Sequence, residues 1–260
     1  MKILHVCNVA GVATVIAKFM DRSCGTESHV IHRRESEKYG LTTYGEVVDC
    51  GSWRFALKCI SESRKYDIIH VHDFDKLLPW LSKLCKKKPK IIHYHGSRIR
   101  NRWKERAKYY KHSSAILYSV RDVESSKMPH SAIFMPNPVD TGLFHQTPQC
   151  IKKPSSALSM LNSLDLAKAK EYAEMYGLKL TLQELGIPHE EMPNLLSKYE
   201  YYIDVKTIGE STSKTGLEAL ACRLRVINHN GELLEKLPEQ HKPENVVTHL
   251  HELYNTLDEA

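Results

Sequence analysis

The chain has 260 residues, a hydrophobic fraction of 42%, a charged fraction of 26% and a formal net charge of +6 at pH 7. These are the values of an ordinary soluble globular protein, long enough for one large domain or two small ones. No run of about 18 apolar residues exists, which excludes a spanning helix, and seven cysteines with no CxxC pair argue against a disulfide framework.

In chain order, strands and helices alternate. Residues 2–9 read as a buried strand rather than a signal peptide, because charge and polarity return within a few positions. Gly11 marks a turn, 12–20 an apolar helix, 29–33 a strand and 55–62 a helix. Tyr66-Asp67-Ile68-Ile69-His70-Val71-His72-Asp73 is a strand, 77–85 a helix, and Lys90-Ile91-Ile92-His93-Tyr94-His95-Gly96 the next strand. Shorter strands follow at 114–119 and 132–135. Such alternation predicts a doubly wound parallel sheet, whose ligands sit beyond the carboxyl ends of its strands. His72, Asp73, His95, Gly96 and Asn137 fall at such ends. Pro136-Asn137-Pro138 and residues 146–156, with Pro148 and Pro154, read as a linker. A smaller alternating set begins beyond it: a strand at 157–161, helices at 165–176 and 188–199, and strands at 178–182, 201–206 and 225–228. A final helix covers 243–257.

The basic charge is uneven. Between Arg98 and Lys111 seven lysines and arginines stand against one acid, Glu105, and a helical reading aligns Ile99, Trp103, Ala107 and Tyr110 in one stripe. This pattern fits a membrane-surface helix, but equally a solvated helix whose stripe packs on its own core. No zinc-ligand spacing or RNA-binding aromatic motif supports nucleic acid as a partner.

The most informative stretch is Gly209-Glu210-Ser211-Thr212-Ser213-Lys214-Thr215-Gly216-Leu217-Glu218-Ala219-Leu220-Ala221. Ser211 and Ser213 are good N-cap residues, and Leu217, Leu220, Ala221 and Leu224 recur at helical spacing. Lys214 in a first helical turn opposes the macrodipole by roughly 0.3–1 kcal/mol, a penalty that a bound phosphate reverses. Glu210 and Glu218 flank this anion site, an arrangement that suits a sugar nucleotide. The plainer reading has Glu210 complementing the helix start and Glu218 pairing with Lys214 across one turn.

Read together, the chain resembles the family 4 glycosyltransferases. The matching phrases are Lys2-Ile3-Leu4-His5-Val6-Cys7-Asn8 with Gly11, Asp67-Ile68-Ile69-His70-Val71-His72, and Ile91-Ile92-His93-Tyr94-His95-Gly96-Ser97. Met135-Pro136-Asn137-Pro138-Val139-Asp140 with Leu143-Phe144 follows, and most specific is Glu210-x7-Glu218 followed by Ala219-Leu220-Ala221. The resemblance implies an α/β protein of GT-B architecture: two facing Rossmann-like domains with parallel sheets, the second shortened. Residues 1–149 would form the acceptor-side domain, with the final helix near 243–260 packing back on it, and 150–242 the nucleotide-sugar domain.

By the same resemblance, Glu218 would bind the ribose hydroxyls, Glu210 the transferred sugar, and the backbone near Ser213, Lys214 and Thr215 the diphosphate. His95 would contact the donor sugar as a neutral imidazole. Gly11 allows a close approach, and Asn137, His72 and Gly96 are further cleft candidates. The implied reaction moves a sugar from a nucleoside diphosphate sugar to an acceptor hydroxyl or a lipid-linked phosphate. Retention of configuration is implied, with no metal and no cofactor besides the nucleotide-sugar co-substrate.

The expected location is cytoplasmic, peripheral at the inner face of the membrane through the basic segment 98–111. Three features depart from the family pattern. Residues 156–170 lack its Gly-Arg strand and Lys-Gly grip, which leaves phosphate neutralisation to Lys206, Lys214 or Arg223; the second domain is short; and Cys222-Arg223-Leu224 replaces glycine and proline.

The competing readings are a non-catalytic GT-B partner subunit of a membrane-associated glycosyltransferase and a nucleotide-sugar epimerase. Two local motifs carry alternatives of their own. Asp73-Phe74-Asp75 is a DxD triplet, the metal–nucleotide signature of a different glycosyltransferase fold. His70-x-His72 and His93-x-His95 suggest a metal site or, without matching acids, ordinary strand-end histidines.

Overall fold

The structure, a computed structural model, describes residues 1–146 and 152–259. It forms two compact units, Met1–Pro138 together with the C-terminal segment from Pro243, and Val139–Lys242. The centre of the expected linker, residues 147–151 with Pro148, lies outside the described residues. The division falls after Pro138 rather than at 149/150, because Val139 and Phe144 are already buried in the core of the second unit.

Unit 1 carries seven strands: β1 (Lys2–Val6), β2 (Glu27–Arg33), β3 (Glu46–Val48), β4 (Ile68–His72), β5 (Lys90–Tyr94), β6 (Ala115–Tyr118) and β7 (Ala132–Phe134). They form one sheet in the order β3-β2-β1-β4-β5-β6-β7, with every pair parallel. The chain builds outward from β1 in one direction and then from β4 in the other, so the order reverses between them. Helices α1 (Val12–Cys24) and α8 (Pro243–Asp258) pack together over one face, burying Ile16, Phe19, Met20, Val246, Leu250 and Tyr254 against Ile3, Ile68 and Ile91. The other face is covered by α2 (Ser52–Ser63), α3 (Leu78–Leu84) and α4 (Trp103–Tyr110), whose Phe55, Leu78, Leu81 and Trp103 pack on Leu4, Ile69 and Ile92. The central strands β1, β4, β5 and β6 alternate between these two cores, as the period of two requires.

The basic segment behaves as a core element. Its helix starts only at Trp103; Ile99 and Trp103 are fully buried, Tyr110 packs on them, and the Trp103 indole donates to the Val123 carbonyl at 2.7 Å. The apolar stripe expected to meet a membrane is therefore covered by the protein itself. Only the polar side of 98–111 remains outside. Among the described residues, no helix is long and apolar enough to cross a membrane.

Unit 2 carries β8 (Lys153–Met160), β9 (Lys179–Gln183), β10 (Tyr199–Ile203), β11 (Arg225–Ile227) and β12 (Leu233–Leu234) in the order β12-β11-β10-β8-β9, parallel except for β12. Helices α6 (Met192–Leu196) and α7 (Lys214–Ala221) pack on one face, and α5 (Leu166–Met175) on the other. The helix expected over 188–199 shrinks to one short turn of α6, because Tyr199 already belongs to β10.

Candidate active site

In unit 1 the register of the sheet decides the site. His5 pairs with His70 between β1 and β4, and His72 pairs with His93 between β4 and β5. Paired residues share a face, so His5, His70, His72, His93 and His95 converge, with neighbouring rings 4.2–5.6 Å apart.

A hydrogen-bonded chain runs through them. His5 Nδ1 lies 3.2 Å from His72 Nε2, His72 Nδ1 2.9 Å from His95 Nε2, and His95 Nδ1 2.8 Å from Asn137 Oδ1. Because the Asn137 oxygen accepts, each imidazole in this chain carries its proton on Nδ1. His70 is held by the Tyr254 hydroxyl of α8 at 2.6 Å, and His93 Nε2 by Ser119 Oγ at 2.7 Å.

Burial disfavours the charged form throughout. It pushes His5 down to about 3 and His95 to about 4, and holds His70, His72 and His93 well below the usual histidine value. Two sets, His5/His70/His72 and His72/His93/His95, bring one ring nitrogen each within 4.8 Å of one another. Both consist of imidazoles alone, and hydrogen bonds already occupy both nitrogens of His72 and of His95.

Beside this chain, at the ends of β1 and β4, lies a pocket of about 510 Å³. The backbone here is held in left-handed conformations at non-glycine residues: Cys7 at φ 70° and Asp73 at φ 56° line the pocket, and Ala10 at φ 49° and Gly11 at φ 75° follow β1. Strain of this kind clusters at functional sites. Gly96 holds φ at 112°, a conformation that side chains rarely adopt, and a Cβ there would sit tightly at 3.0 Å from Val120 Cγ2.

Asp73 accepts the His95 N–H at 3.1 Å, and burial pushes its carboxyl up to about 7. Asp75 is buried against Arg106 at 3.2 Å and accepts the Tyr94 hydroxyl at 2.9 Å. The DxD triplet is thus two separately anchored carboxylates within the fold. Arg98 and Lys76 also line the pocket and make no ion pair among the described residues.

In unit 2 the motif stretch forms a helix start at the end of β10. Ser213 caps α7, its Oγ accepting the Gly216 N–H at 3.1 Å. The same hydroxyl donates to Asp204 Oδ1 at 2.7 Å, while the Ser213 N–H donates to Asp204 Oδ2 at 2.6 Å. Asp204 is buried, which raises its carboxyl against the pull of Lys206 and Ser213. Gly216 is required here: a Cβ would lie 2.4 Å from Asp204 Oδ2. Glu218, in the second turn, is buried with Oε1 3.2 Å from His189 Nε2 and 3.5 Å from Lys214 Nζ. Lys214 is lowered by burial, opposed by Glu218.

The predicted residues therefore fall into two groups. His72, His95, Gly96 and Asn137 come together in unit 1 with Gly11 on the adjoining turn; Ser213, Lys214 and Glu218 come together in unit 2, with Thr215 in the first turn of α7. Lys206 stands aside and donates to the Asn162 carbonyl at 3.1 Å, and Glu210 lies exposed on the loop before α7. Sequence reasoning missed Asp204, Gly216 and His189, and it missed that five histidines form one network. A carboxylate at the end of a strand that precedes a Ser-x-x-Gly helix start was the available signal for the first two.

No protein-family model and no curated protein matches the chain by sequence. Solved structures do match by shape. Sucrose-phosphate synthase from Thermosynechococcus elongatus aligns over 99% of this chain and 92% of its own, with a TM-score of 0.55 at 11% identity. The fold is GT-B-like. The N-terminal domain of trehalose-6-phosphate phosphatase from Candida albicans aligns over 99% and 93%, with a TM-score of 0.54 at 10% identity. A GT-B-like fold thus spans proteins named for different activities, and the chemistry has to be argued from the side chains.

Proposed function

We propose that the chain is a glycosyltransferase that moves a sugar from a nucleoside diphosphate sugar to an acceptor hydroxyl or lipid-linked phosphate. The observation that carries this is the start of α7, where a largely buried lysine and a buried glutamate meet at a helix N-terminus that Asp204 ties to the end of a parallel strand. The cap uses the N–H of Gly216, not that of Thr215. Backbone donors and Lys214 suit a diphosphate, and the developing negative charge on a departing diphosphate is what such preorganised donors stabilise. In this reading Glu218 takes the ribose hydroxyls and Glu210 the transferred sugar. His95, neutral and fixed by Asn137 and His72, positions a reactant and is not a nucleophile. The reaction is retaining, needs no metal or added cofactor, and takes place in the cytoplasm at the membrane's inner face.

One observation favours a second reading. Glu218 Oε1 is already engaged by Lys214 and His189, which suits a non-catalytic partner subunit that keeps the architecture without the donor. Thermal shift against UDP-, GDP- and ADP-sugars separates the two, since preferential binding to the native state raises its apparent stability. A selective shift lost in Glu218→Ala, with nucleoside diphosphate release that Glu210→Ala and His95→Ala abolish, supports transfer. No shift with any donor overturns it. Conversion of the donor sugar without acceptor would identify an epimerase instead.

A further inference from the structure

Two tryptophans of unit 1 lie where a folded protein rarely leaves them. Trp53 on α2 is 65% exposed and Trp80 on α3 is 49% exposed, with their rings edge to face at 6.1 Å. One helical turn onward, Leu57 and Leu84 are 53% and 50% exposed. Between the two helices runs a groove of about 400 Å³, floored by Ala56, Ile60 and Leu77. Contiguous exposed apolar surface of this kind marks a binding site. The groove is continuous with the pocket at the ends of β1 and β4: Ser52, Phe74 and Lys76 line both. The pocket end is cationic on balance, with Arg33, Lys76, Arg98 and Arg106 against the carboxylates of Asp73 and Asp75. Arg98 and Lys76 make no ion pair among the described residues, and Arg106, though paired with Asp75, keeps its buried Nε without a partner. Exposed Lys83, Lys86 and Lys87 follow Trp80 along and beyond α3.

We propose that pocket and groove together bind one amphiphile, with an anionic phosphate-type head among Arg98, Lys76 and Arg106 and an apolar chain between Trp53, Leu57, Trp80 and Leu84. A polar ligand leaves the groove unused, and a neutral lipid leaves the pocket cations unmatched. In the glycosyltransferase reading, on which only this last step rests, the amphiphile is the acceptor. An ionised head-group oxygen forms the new bond to the anomeric carbon while the bond from that carbon to the diphosphate breaks, and the diphosphate leaves with the electron pair. An ionised phosphate oxygen brings no proton that a base must remove.

Calorimetric titration of the full chain with inorganic phosphate and with octyl, decyl and dodecyl phosphate, below their micellar concentrations, tests the site without any nucleotide sugar. Affinity is expected to rise about fourfold for each methylene that enters the groove. The double substitution Trp53→Ser, Trp80→Ser should abolish that chain-length dependence while inorganic phosphate binding stays unchanged. Arg98→Ala with Lys76→Ala should weaken every phosphate at least tenfold. Dodecanol binding as tightly as dodecyl phosphate, or a flat chain-length series, overturns the proposal. Binding confined to phosphatidylglycerol vesicles also overturns it, because the groove then meets a bilayer surface rather than one lipid. A dimer in sedimentation that the tryptophan substitutions dissolve assigns the groove to a second copy instead. If donors fail to bind but dodecyl phosphate binds as expected, the transferase reading falls and the lipid site stands.

Discussion

The two units end their central strands in opposite ways. At the ends of β1, β4 and β5, unit 1 buries neutral imidazoles, three of them hydrogen-bonded in series, and keeps cations in the adjoining pocket. At the end of β10, unit 2 gathers ionisable groups with little exposure: Asp204 under Ser213, and Glu218 against Lys214 and His189. A neutral network avoids the desolvation cost of ions, but a proton breaks it. A charged constellation tolerates pH but depends on close geometry. The first site should therefore fail by titration and the second by sterics.

The largest effect should come from acid. An unfolded histidine titrates near 6.5, whereas His5 and His95 hold out to about 3 and about 4, and His70, His72 and His93 are shifted the same way. Between these values the unfolded state binds more protons. The stability these groups contribute is fully present above pH 6.5 and is lost as pH falls toward 4, at about 1.4 kcal/mol per pH unit for each histidine. Asp73, raised to about 7, and Asp75, also raised by burial, act oppositely, their penalty fading as pH drops, but they are two groups against five. All three tryptophans lie in unit 1, so urea unfolding followed by tryptophan fluorescence reports that unit alone. Its midpoint should fall steeply from pH 7 to pH 5, while the amide protection factors in β8 and β10 change little. An unchanged fluorescence midpoint would mean that the imidazole chain is not the weak point of unit 1.

Much of this contrast was legible in the sequence and its decisive part was not. Alternating apolar runs placed β1, β4 and β5, and put His72 and His95 at the ends of the last two. Only the register, His5 with His70 and His72 with His93, merges those histidines into one network, and register is a long-range property. The cap at Ser213 follows from local spacing, but Asp204 beneath it and His189 against Glu218 are contacts across the fold. The tryptophans show the same limit. Trp103 sits in the most basic segment and is 1% exposed, while Trp53 and Trp80 stand uncovered. Periodicity identifies an apolar stripe; what covers it depends on which helices share a sheet face.

A smaller effect should follow from crowding α7. Gly216→Ala places a Cβ 2.4 Å from Asp204 Oδ2 and near Thr212 Cγ2, so the helix start must move off β10. Overpacking of this kind costs about 1–3 kcal/mol. Thermal unfolding followed by far-ultraviolet circular dichroism should show that loss, with the tryptophan-reported midpoint of unit 1 unaltered. Equal shifts in both signals would mean that the units unfold together. A silent substitution would mean that the helix start is free to relax, and the close approach would then have no bearing on the candidate donor site.

The smallest predicted change distinguishes a cap from a bridge. Ser213→Ala removes an N-cap acceptor and should cost about 1 kcal/mol, as such caps usually do. Aspartate is ordinarily as good a cap as serine. Here, however, the Ser213 hydroxyl both accepts from Gly216 and donates to Asp204. A carboxylate keeps the first bond, loses the second, and sets one anion against another that is already buried. Ser213→Asp should therefore be less stable than Ser213→Ala, the reverse of the order at a simple cap, and the gap should narrow as acid protonates the pair. If Ser213→Asp instead matches the wild type in urea titrations followed by circular dichroism, Asp204 is not held through Ser213. The pull that keeps the buried Asp204 carboxyl ionised would then come from Lys206 and His229 rather than from Ser213.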